Sequence, residues 1–302
     1  MAGAYSGELA LARAGAGDRW SLLLRLLRFG QRWPLGAAGA LVIAAMIVAA
    51  VVAPYLAPHD PLDTNFVRIL QSPRAGFWMG TDTFGRDVFS RVLYGSRTAL
   101  LVGFSASFIG ASLGTAIGLV SAYFGGLTDL LLQRLADLFL SFPIIVLALV
   151  IVTVLGGGTR NLILAIAIPF IPNTARVIRS SALPIREMPY VDAAITIGAS
   201  NSRIIFRHIL PNVVAPYLVL LTAFQGQAIL LEASLSFLGL GVSEPTPAWG
   251  LMLKGSAVEY AERAPWLAFF PGVAISLSVF AFNLLGDALR DAFDPKLRTG
   301  HS

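Results

Sequence analysis

Apolar residues run along this chain in long stretches, separated by short segments that carry the charges. Six stretches lack Asp, Glu, Lys and Arg over 15 to 31 residues: 33–59, 98–128, 138–159, 161–175, 208–231 and 264–286. A helix needs about 20 apolar residues to cross the hydrocarbon core of a bilayer. Five stretches meet that length, and the fourth is short and contains Pro169 and Pro172, which predict a bend. The pattern predicts an all-α polytopic membrane protein with about six transmembrane helices.

The composition agrees with a membrane protein. Of the 302 residues, 56% are apolar and 13% are charged, whereas soluble domains carry about 25% charged residues. So few charges cannot cover the surface of a soluble enzyme, and disorder is equally disfavoured. The net charge of +5 is typical of basic cytoplasmic loops and requires no nucleic-acid partner. Cysteine is absent, which excludes disulfides and thiolate metal sites.

The spacing of the stretches predicts the organisation of the chain. Residues 1–33 form a cytosolic segment, either an amphipathic helix on the membrane surface or a plain flank of the first span. An uncleaved first transmembrane helix (34–57), an external loop with an interfacial helix that ends near Gly95 (58–97), a core of five helices (98–288) and a cytosolic tail (289–302) follow. Threading the spans with the N-terminus inside puts 14 of the 22 Lys and Arg residues on the cytoplasmic side. Both termini are therefore expected in the cytoplasm.

The longest internal loop, 177–212, reads as two short helices. Pro189 suits the start of the first helix, and Gly198 breaks it. Ser200 or Asn201 is expected to cap the second helix, which stops at Pro211. Residues of the first helix (Ala193, Ala194 and Ile197) are expected to form one small apolar face, and the second helix carries Arg203 and Arg207. Such a hairpin either inserts into a partner protein or caps the membrane bundle laterally.

A few residues within the spans are candidates for close packing or for a solute path. Gly110, Gly114 and Gly118 recur every four residues, which lets another helix approach closely and makes them candidates for a solute path or for the contact with another permease subunit. Glu232, near the outer end of the fifth span, either lines a path or lies at a subunit interface or snorkels to water. Asn173 is a second path candidate. The sequence of 110–114 matches G-x-S-x-G, but this motif needs a strand-to-helix elbow, so an intramembrane hydrolase is disfavoured.

The motifs of the chain resemble a known family. Asp192-Ala193-Ala194-x3-Gly198-x9-His208-x2-Pro211-Asn212 resembles the EAA loop of ABC-importer permeases, with Asp192 where the name of the loop implies Glu. Further motifs follow in the order expected for that family: Gly80-Thr81-Asp82-x2-Gly85-Arg86-Asp87, Ser141-Phe142-Pro143, 232–241, Trp249-Gly250 and 283–287. Together they resemble the second, C-type permease of dipeptide, oligopeptide and nickel importers.

The resemblance implies a type I ABC importer permease fold with a cytosolic coupling-helix loop, in a bacterial or archaeal plasma membrane. It implies a distinct second permease, two cytosolic ABC ATPase subunits or domains and an extracytoplasmic solute-binding protein as partners. It also assigns ATPase coupling to Asp192, Ala193, Ala194, Ile197, Gly198, Arg203, Arg207, His208, Pro211 and Asn212. This chain is then not an enzyme and binds no cofactor, with ATP acting on the partners. The residues agree, because neither lysine (Lys254 or Lys296) ends a phosphate-binding loop.

Two other functions are compatible with the sequence. Nickel is an alternative cargo, although His59, His208 and His301 are scattered over different segments and give no metal cluster. A self-sufficient channel or secondary transporter would need charges within the spans or an inverted repeat. The spans are almost free of charge, and no repeat is visible. A permease that moves peptides is the favoured hypothesis.

Overall fold

A computed structural model describes residues 30–254, 260 and 262–293 of the chain. The predicted amphipathic segment lies almost wholly outside the described residues, as does most of the tail. The described part is helical, and its helices are α1 (Pro34–Leu56), α2 (Val88–Phe124), α3 (Gly126–Leu140), α4 (Ile144–Leu155), α5 (Thr159–Arg186), α6 (Pro189–Thr196), α7 (Asn201–Phe237), α8 (Trp249–Leu253) and α9 (Trp266–Phe293).

The helices confirm the all-α membrane fold. Five of them, α1, α2, α5, α7 and α9, are each long and apolar enough to cross a membrane. Helices α3 and α4 pass the same test only as a pair, and they are bent by 92° relative to each other. The described residues therefore contain five spans, or six when the bent pair counts as one.

The sequence pattern predicted a single helix for the third apolar stretch, but the structure has two. Helix α3 ends at Leu140, and α4 begins only at Ile144. Between them Pro143 adopts φ −55° and ψ 134°, and proline has no N–H with which to continue the ladder of α3. With 12 residues, α4 is about 18 Å long, so it cannot cross the hydrocarbon core alone.

Helix α2 starts earlier than its apolar stretch suggested. Asp87 caps it by accepting a hydrogen bond from the backbone N–H of Ser90 at 3.0 Å, and the helix runs unbroken for 37 residues. Gly95, expected to end a separate interfacial helix, lies inside α2, and the Trp249 ring packs where a side chain at this position would stand. A Cβ at Gly95 would lie 2.6 Å from Cδ1 of Trp249. The helix ends instead at Gly125, which has φ +62°.

The glycine series of α2 packs against α5 of the same chain. A Cβ at Gly110 would lie 2.6 Å from the Phe170 Cβ, and one at Gly114 would lie 2.6 Å from the Ile171 carbonyl oxygen. A Cβ at Gly118 would lie 2.6 Å from a carbonyl oxygen of α5 as well. The predicted close approach of a helix is therefore confirmed. Within this chain α5 is the helix that approaches these glycines, and their assignment to a solute path or a permease interface stays a prediction.

Helix α5 ends well beyond its predicted boundary. The fourth stretch ended at residue 175, but α5 continues to Arg186, so the first ten residues of the predicted loop 177–212 are helical. Charges beyond the stretch pair with α3: Nε and Nη2 of Arg179 each lie 2.5 Å from a carboxylate oxygen of Asp129, and Arg176 pairs with Asp137. These ion pairs stabilise the part of α5 that extends past the apolar stretch. They also hold α3, which is bent relative to α4, alongside α5.

Candidate functional site

The segment 187–212, called the hairpin below, folds as two helices joined by a tight turn. Pro189 occupies the first turn of α6, and Gly198 follows α6 with φ +78°. The side chain of Ser200 caps α7 by accepting a hydrogen bond from the backbone N–H of Arg203 at 3.4 Å. The start of the first helix, its break and the cap of the second are thus as predicted.

The second helix of the hairpin does not stop at Pro211, which corrects the sequence prediction. It continues through a π-helical turn at Ile205–Ile209 into the membrane span, forming one 37-residue helix, α7. The N–H of Leu210 bonds to the carbonyl of Ile205, and this longer turn places Pro211 in a new first turn, where its missing N–H is tolerated. Half of the hairpin is therefore the end of a membrane helix.

The expected apolar face of α6 is also wrong. Ala194 points inward and is buried together with Val191, whereas Ala193 is exposed and Ile197 is 85% exposed. Positions three apart on α6 face the bundle, and the pair four apart, 193 and 197, lies on the opposite side. One face of α6 thus packs against the rest of the chain, and the other face is exposed.

The inward face attaches the hairpin to the ends of α2 and α5. A buried apolar cluster joins the three parts and consists of Leu119, Ala122, Ile178, Ala182, Val191, Ile204, Ile209 and Val213. The hydroxyl of Tyr123 donates to Oδ1 of Asn201 at 2.8 Å. The side-chain amide of Asn212 donates to the His208 carbonyl at 2.7 Å and contacts the Tyr190 hydroxyl at 3.3 Å. These contacts fix the hairpin to α2 and α5 as well as to α7.

The outward face exposes apolar side chains next to charges. Phe206 is 66% exposed, and Ile195 and Tyr190 are about half exposed. Charged members of the predicted site, Asp192, Arg203 and Arg207, are exposed around them, as are Gly198 and Pro211, while His208 is half-buried. Exposed apolar surface with a charged rim is typical of a protein–protein contact.

Sequence reasoning missed several residues of the hairpin. Tyr190, Phe206 and Tyr123 were not singled out, and only the structure shows that the first two are exposed on the hairpin and that the third connects α2 to α7. The spacing of Phe206 with Arg203 on one helix was a signal, since both lie on the same side of α7. Nothing in the sequence indicated the contact of Tyr123.

Two predicted site residues lie away from the hairpin. Asn173 is exposed in the middle part of α5. Glu232 is 0% exposed and lies inside this chain, so snorkelling to water is wrong and a subunit interface does not fit its position. Its Oε1 accepts a hydrogen bond from the Ser236 hydroxyl at 2.8 Å, and the same hydroxyl accepts one from the Val242 N–H at 3.2 Å. Glu232 therefore holds the turn after α7.

A substitution at the turn of the hairpin tests whether its angle matters. We expect Gly198→Val to lower transport several-fold, because a β-branched residue in the left-handed region costs about 1–2 kcal/mol. No heavy atom lies within 4 Å of the position that a Cβ at Gly198 would take, so the effect would come from the backbone alone. Gly198→Asn is the matched control, since asparagine tolerates this conformation. Equal solute uptake by both variants at equal membrane levels would show that the angle is unimportant.

The chain is similar to known transport proteins over most of its length. The family model of the binding-protein-dependent transport system inner membrane component matches residues 114–299, a range that contains the hairpin. A second model, the N-terminal TM domain of oligopeptide transport permease C, matches residues 31–73. The two matches follow each other along the chain, from α1 to the end of α9.

Individual relatives give the same result. A dipeptide transport system permease protein of Alkalihalophilus pseudofirmus is 44% identical over 265 residues, which are 88% of this chain and 87% of the relative. A glutathione transport system permease protein of Pectobacterium atrosepticum is 40% identical over 269 residues, 89% of each chain. The family resemblance of the sequence motifs is thereby confirmed.

Proposed function

Because the chain belongs to the family of binding-protein-dependent transport system inner membrane components, we propose that it is the permease subunit of an ABC importer for peptides. It forms half of the path across the plasma membrane of a bacterium or archaeon, and ATP hydrolysis on partner subunits drives the transport. The names of its relatives support this cargo, since one carries dipeptides and the other glutathione, and glutathione is itself a small peptide. Within the described residues no group of three His, Asp or Glu side chains is arranged to hold a metal ion, so nothing in this part of the chain favours nickel over peptide.

The hairpin is the proposed contact through which the ATPase subunits move this permease. Its exposed face, with Ile197, Phe206 and the charged residues around them, would lie in a cleft of a cytosolic ATPase subunit. The observation that carries this proposal is the continuity of α7 from Asn201 to Phe237, with a buried cluster that fixes α6 to α2 and α5. Closure of the ATPase subunits around ATP would move the hairpin, and close packing would pass the motion to these helices as rigid bodies.

The partners follow from this role. They are a second permease that is distinct from this one, two ABC ATPase subunits or domains and an extracytoplasmic solute-binding protein, assembled at one lipid membrane. The hairpin and both termini face the cytosol in this proposal, with segment 58–97 outside, and the residues from 98 to 288 form the transport core. The distribution of basic residues supports this orientation. ATP binds to the partners and not to this chain.

Uptake by a deletion strain tests the function directly. Cells that lack this gene should lose uptake of labelled di- or longer peptides, and the wild-type gene should restore it. Labelled nickel is measured in the same cells. Loss of nickel uptake with unchanged peptide uptake would replace the proposed cargo by the metal. Transport by the purified chain alone in vesicles, without ATP or partners, would contradict the permease role itself.

A further inference from the structure

Buried charges cluster at the end of the bundle opposite the hairpin. Residues 57–87 and 238–254 meet there and form what is called the cap below. Nε of Arg86 lies 2.6 Å from Oδ2 of Asp82, and Nη1 of Arg86 lies 2.9 Å from Oε2 of Glu244. Nη2 of Arg91 lies 3.8 Å from the same glutamate oxygen. The cluster thus joins the loop before α2 to the loop after α7.

The two arginines are held in place from several sides. The guanidinium of Arg91, at 1% exposure, donates from Nη1 to the Pro61 carbonyl at 3.1 Å. Burial by itself would lower the pKa of Arg86, but the hydrogen bond with Glu244 and the charge of Asp82 outweigh it and raise this pKa above its ordinary value. The Arg86 guanidinium is therefore a fixed cation in a protein interior, where charge–charge interactions are strong, and Arg91 lies against the same two carboxylates, Asp82 and Glu244.

A cavity of about 60 Å³ lies against this cluster. It is lined by Asp82, Thr83, Phe84, Arg86, Arg91, Glu244, Leu251, Met252, Lys254 and Leu267. Three cations therefore face two carboxylates among the described lining residues, which leaves one positive charge in excess. The Nε of Arg91 is buried and makes no hydrogen bond, with Oδ2 of Asp82 3.7 Å away as an ion-pair contact. A buried donor without a hydrogen bond costs about 1–3 kcal/mol. The lining thus has one more cation than carboxylates when the exposed Lys254 is counted, and one buried donor that makes no hydrogen bond.

We propose that this cavity is a binding site for a carboxylate group, which enters beside Glu244 and is held by Arg86 and Arg91. About 60 Å³ holds roughly four water-sized volumes, which is enough for a carboxylate and one or two methylene groups and too little for a whole peptide. The apolar side chains Leu251 and Leu267 suit the methylene part. Glu244, whose side chain is 46% exposed, already reaches the arginines from the solvent side and shows that the entrance is open.

The source of the carboxylate rests on the proposed function. If the cap faces the outside, an acidic side chain of the solute-binding protein is the ligand that would arrive there during each transport cycle, and a free small carboxylate is the other source. The chemistry is the same for both: a singly charged group of two oxygens that accepts hydrogen bonds from two guanidinium groups. The two sources are separated by the experiment.

The first arm measures binding of acetate to the purified, assembled transporter, through its melting temperature at constant ionic strength. Acetate should stabilise the transporter, and acetamide, its neutral isostere, should not. We expect Glu244→Gln to bind acetate about tenfold more tightly, because a like charge at the site is removed, and Lys254→Gln to bind it several-fold more weakly. Arg263→Gln, an exposed cation of the same segment outside the cavity lining, is the matched control and should bind acetate as the wild type does.

Two results of this arm would overturn the proposal. One is equal stabilisation by acetate and acetamide, and the other is an acetate affinity that neither Glu244→Gln nor Lys254→Gln changes. Since Lys254 is exposed and outside the buried ion pairs, its variant gives an answer even if Glu244→Gln loosens the cap.

The second arm measures binding of the solute-binding protein to the transporter with and without excess acetate. Competition by acetate that needs several-fold more acetate in Lys254→Gln and is unchanged in Arg263→Gln would identify the binding protein as the source. Binding of acetate without competition would leave a free carboxylate as the ligand of the same site. If peptide uptake depends on this gene but acetate does not bind, the carboxylate site is wrong while the proposed function stands.

Discussion

Replacing Ile197 and Phe206 together by aspartate is expected to lower peptide uptake at least tenfold while the subunit remains folded in the membrane. Both side chains are largely exposed in this chain, at 85% and 66%, so their loss removes little internal contact. In the proposed complex they lie in a cleft of the ATPase, where an unpaired charge costs several kcal/mol and the loss of an anchor costs about 2 kcal/mol or more. Uptake, ATP hydrolysis and co-purification of the ATPase are measured on the same membranes.

A single substitution at the other end of the molecule controls for the added charge. Val67 is 88% exposed in the cap, and Val67→Asp should leave co-purification of the ATPase unchanged. If Ile197→Asp/Phe206→Asp retains both the ATPase and normal uptake, the exposed face of the hairpin is not the contact and the proposed input of force is wrong.

The second large effect is expected from Gly114→Leu, which should prevent the subunit from accumulating in the membrane. A Cβ at Gly114 would lie 2.5 Å from the Cβ of Thr174 and 2.6 Å from the Ile171 carbonyl oxygen. Both atoms belong to the regular part of α5, so the helices would have to separate. Overpacking of this kind costs about 1–3 kcal/mol and occasionally more, and α2 and α5 form the centre of the bundle. The amount of subunit per cell membrane is the measurement.

Gly272→Leu is the matched control within a membrane helix. No heavy atom lies within 4 Å of the position that a Cβ at Gly272 would take, so the added side chain meets open space in this chain. We expect normal accumulation for this variant. Equal amounts of the Gly114→Leu and Gly272→Leu subunits would show that the close packing of α2 and α5 is not needed for folding.

The sequence was informative where a single local rule decides the structure. Apolar length identified the spans, because lipid offers no partner for backbone groups and a helix must satisfy them internally. Pro189, Gly198 and Ser200 identified the ends of the hairpin helices, since each acts through its own backbone or side chain. The motif order identified the family, and the family models agree with it.

Predictions failed where a distant residue decides the structure. Gly95 was expected to end a helix, but Trp249 fills the space beside it and the helix continues. Pro211 was expected to stop the second helix of the hairpin, but the preceding π-helical turn accommodates it. In both places the residue type favours the end of a helix. A contact with another part of the chain, or the hydrogen bonds of the neighbouring turn, decides the structure instead, and a short stretch of sequence shows neither.

The roles of single residues were the least predictable part of the candidate site. The close approach of a helix to the glycines of α2 was predicted, but only the structure shows that this helix is α5; their role at a path or at the contact with a second permease stays a prediction. Glu232 was expected to line a path, to lie at a subunit interface or to snorkel to water, because a charge in a membrane is costly, and it is buried within this chain beside Ser236. The sequence shows that a close contact or a hydrogen bond is needed, but it does not show which partner supplies it.

The most direct test of the central claim is the accessibility of the hairpin tip. The chain contains no cysteine, so Ile197→Cys gives a single reactive thiol at a position that is 85% exposed. If force enters through the hairpin from a cytosolic ATPase, a membrane-impermeant maleimide should label this cysteine in inside-out vesicles stripped of the ATPase. The bound ATPase should protect it there, and intact cells should show no labelling. Labelling in intact cells, or equal labelling with and without the ATPase, would contradict the account.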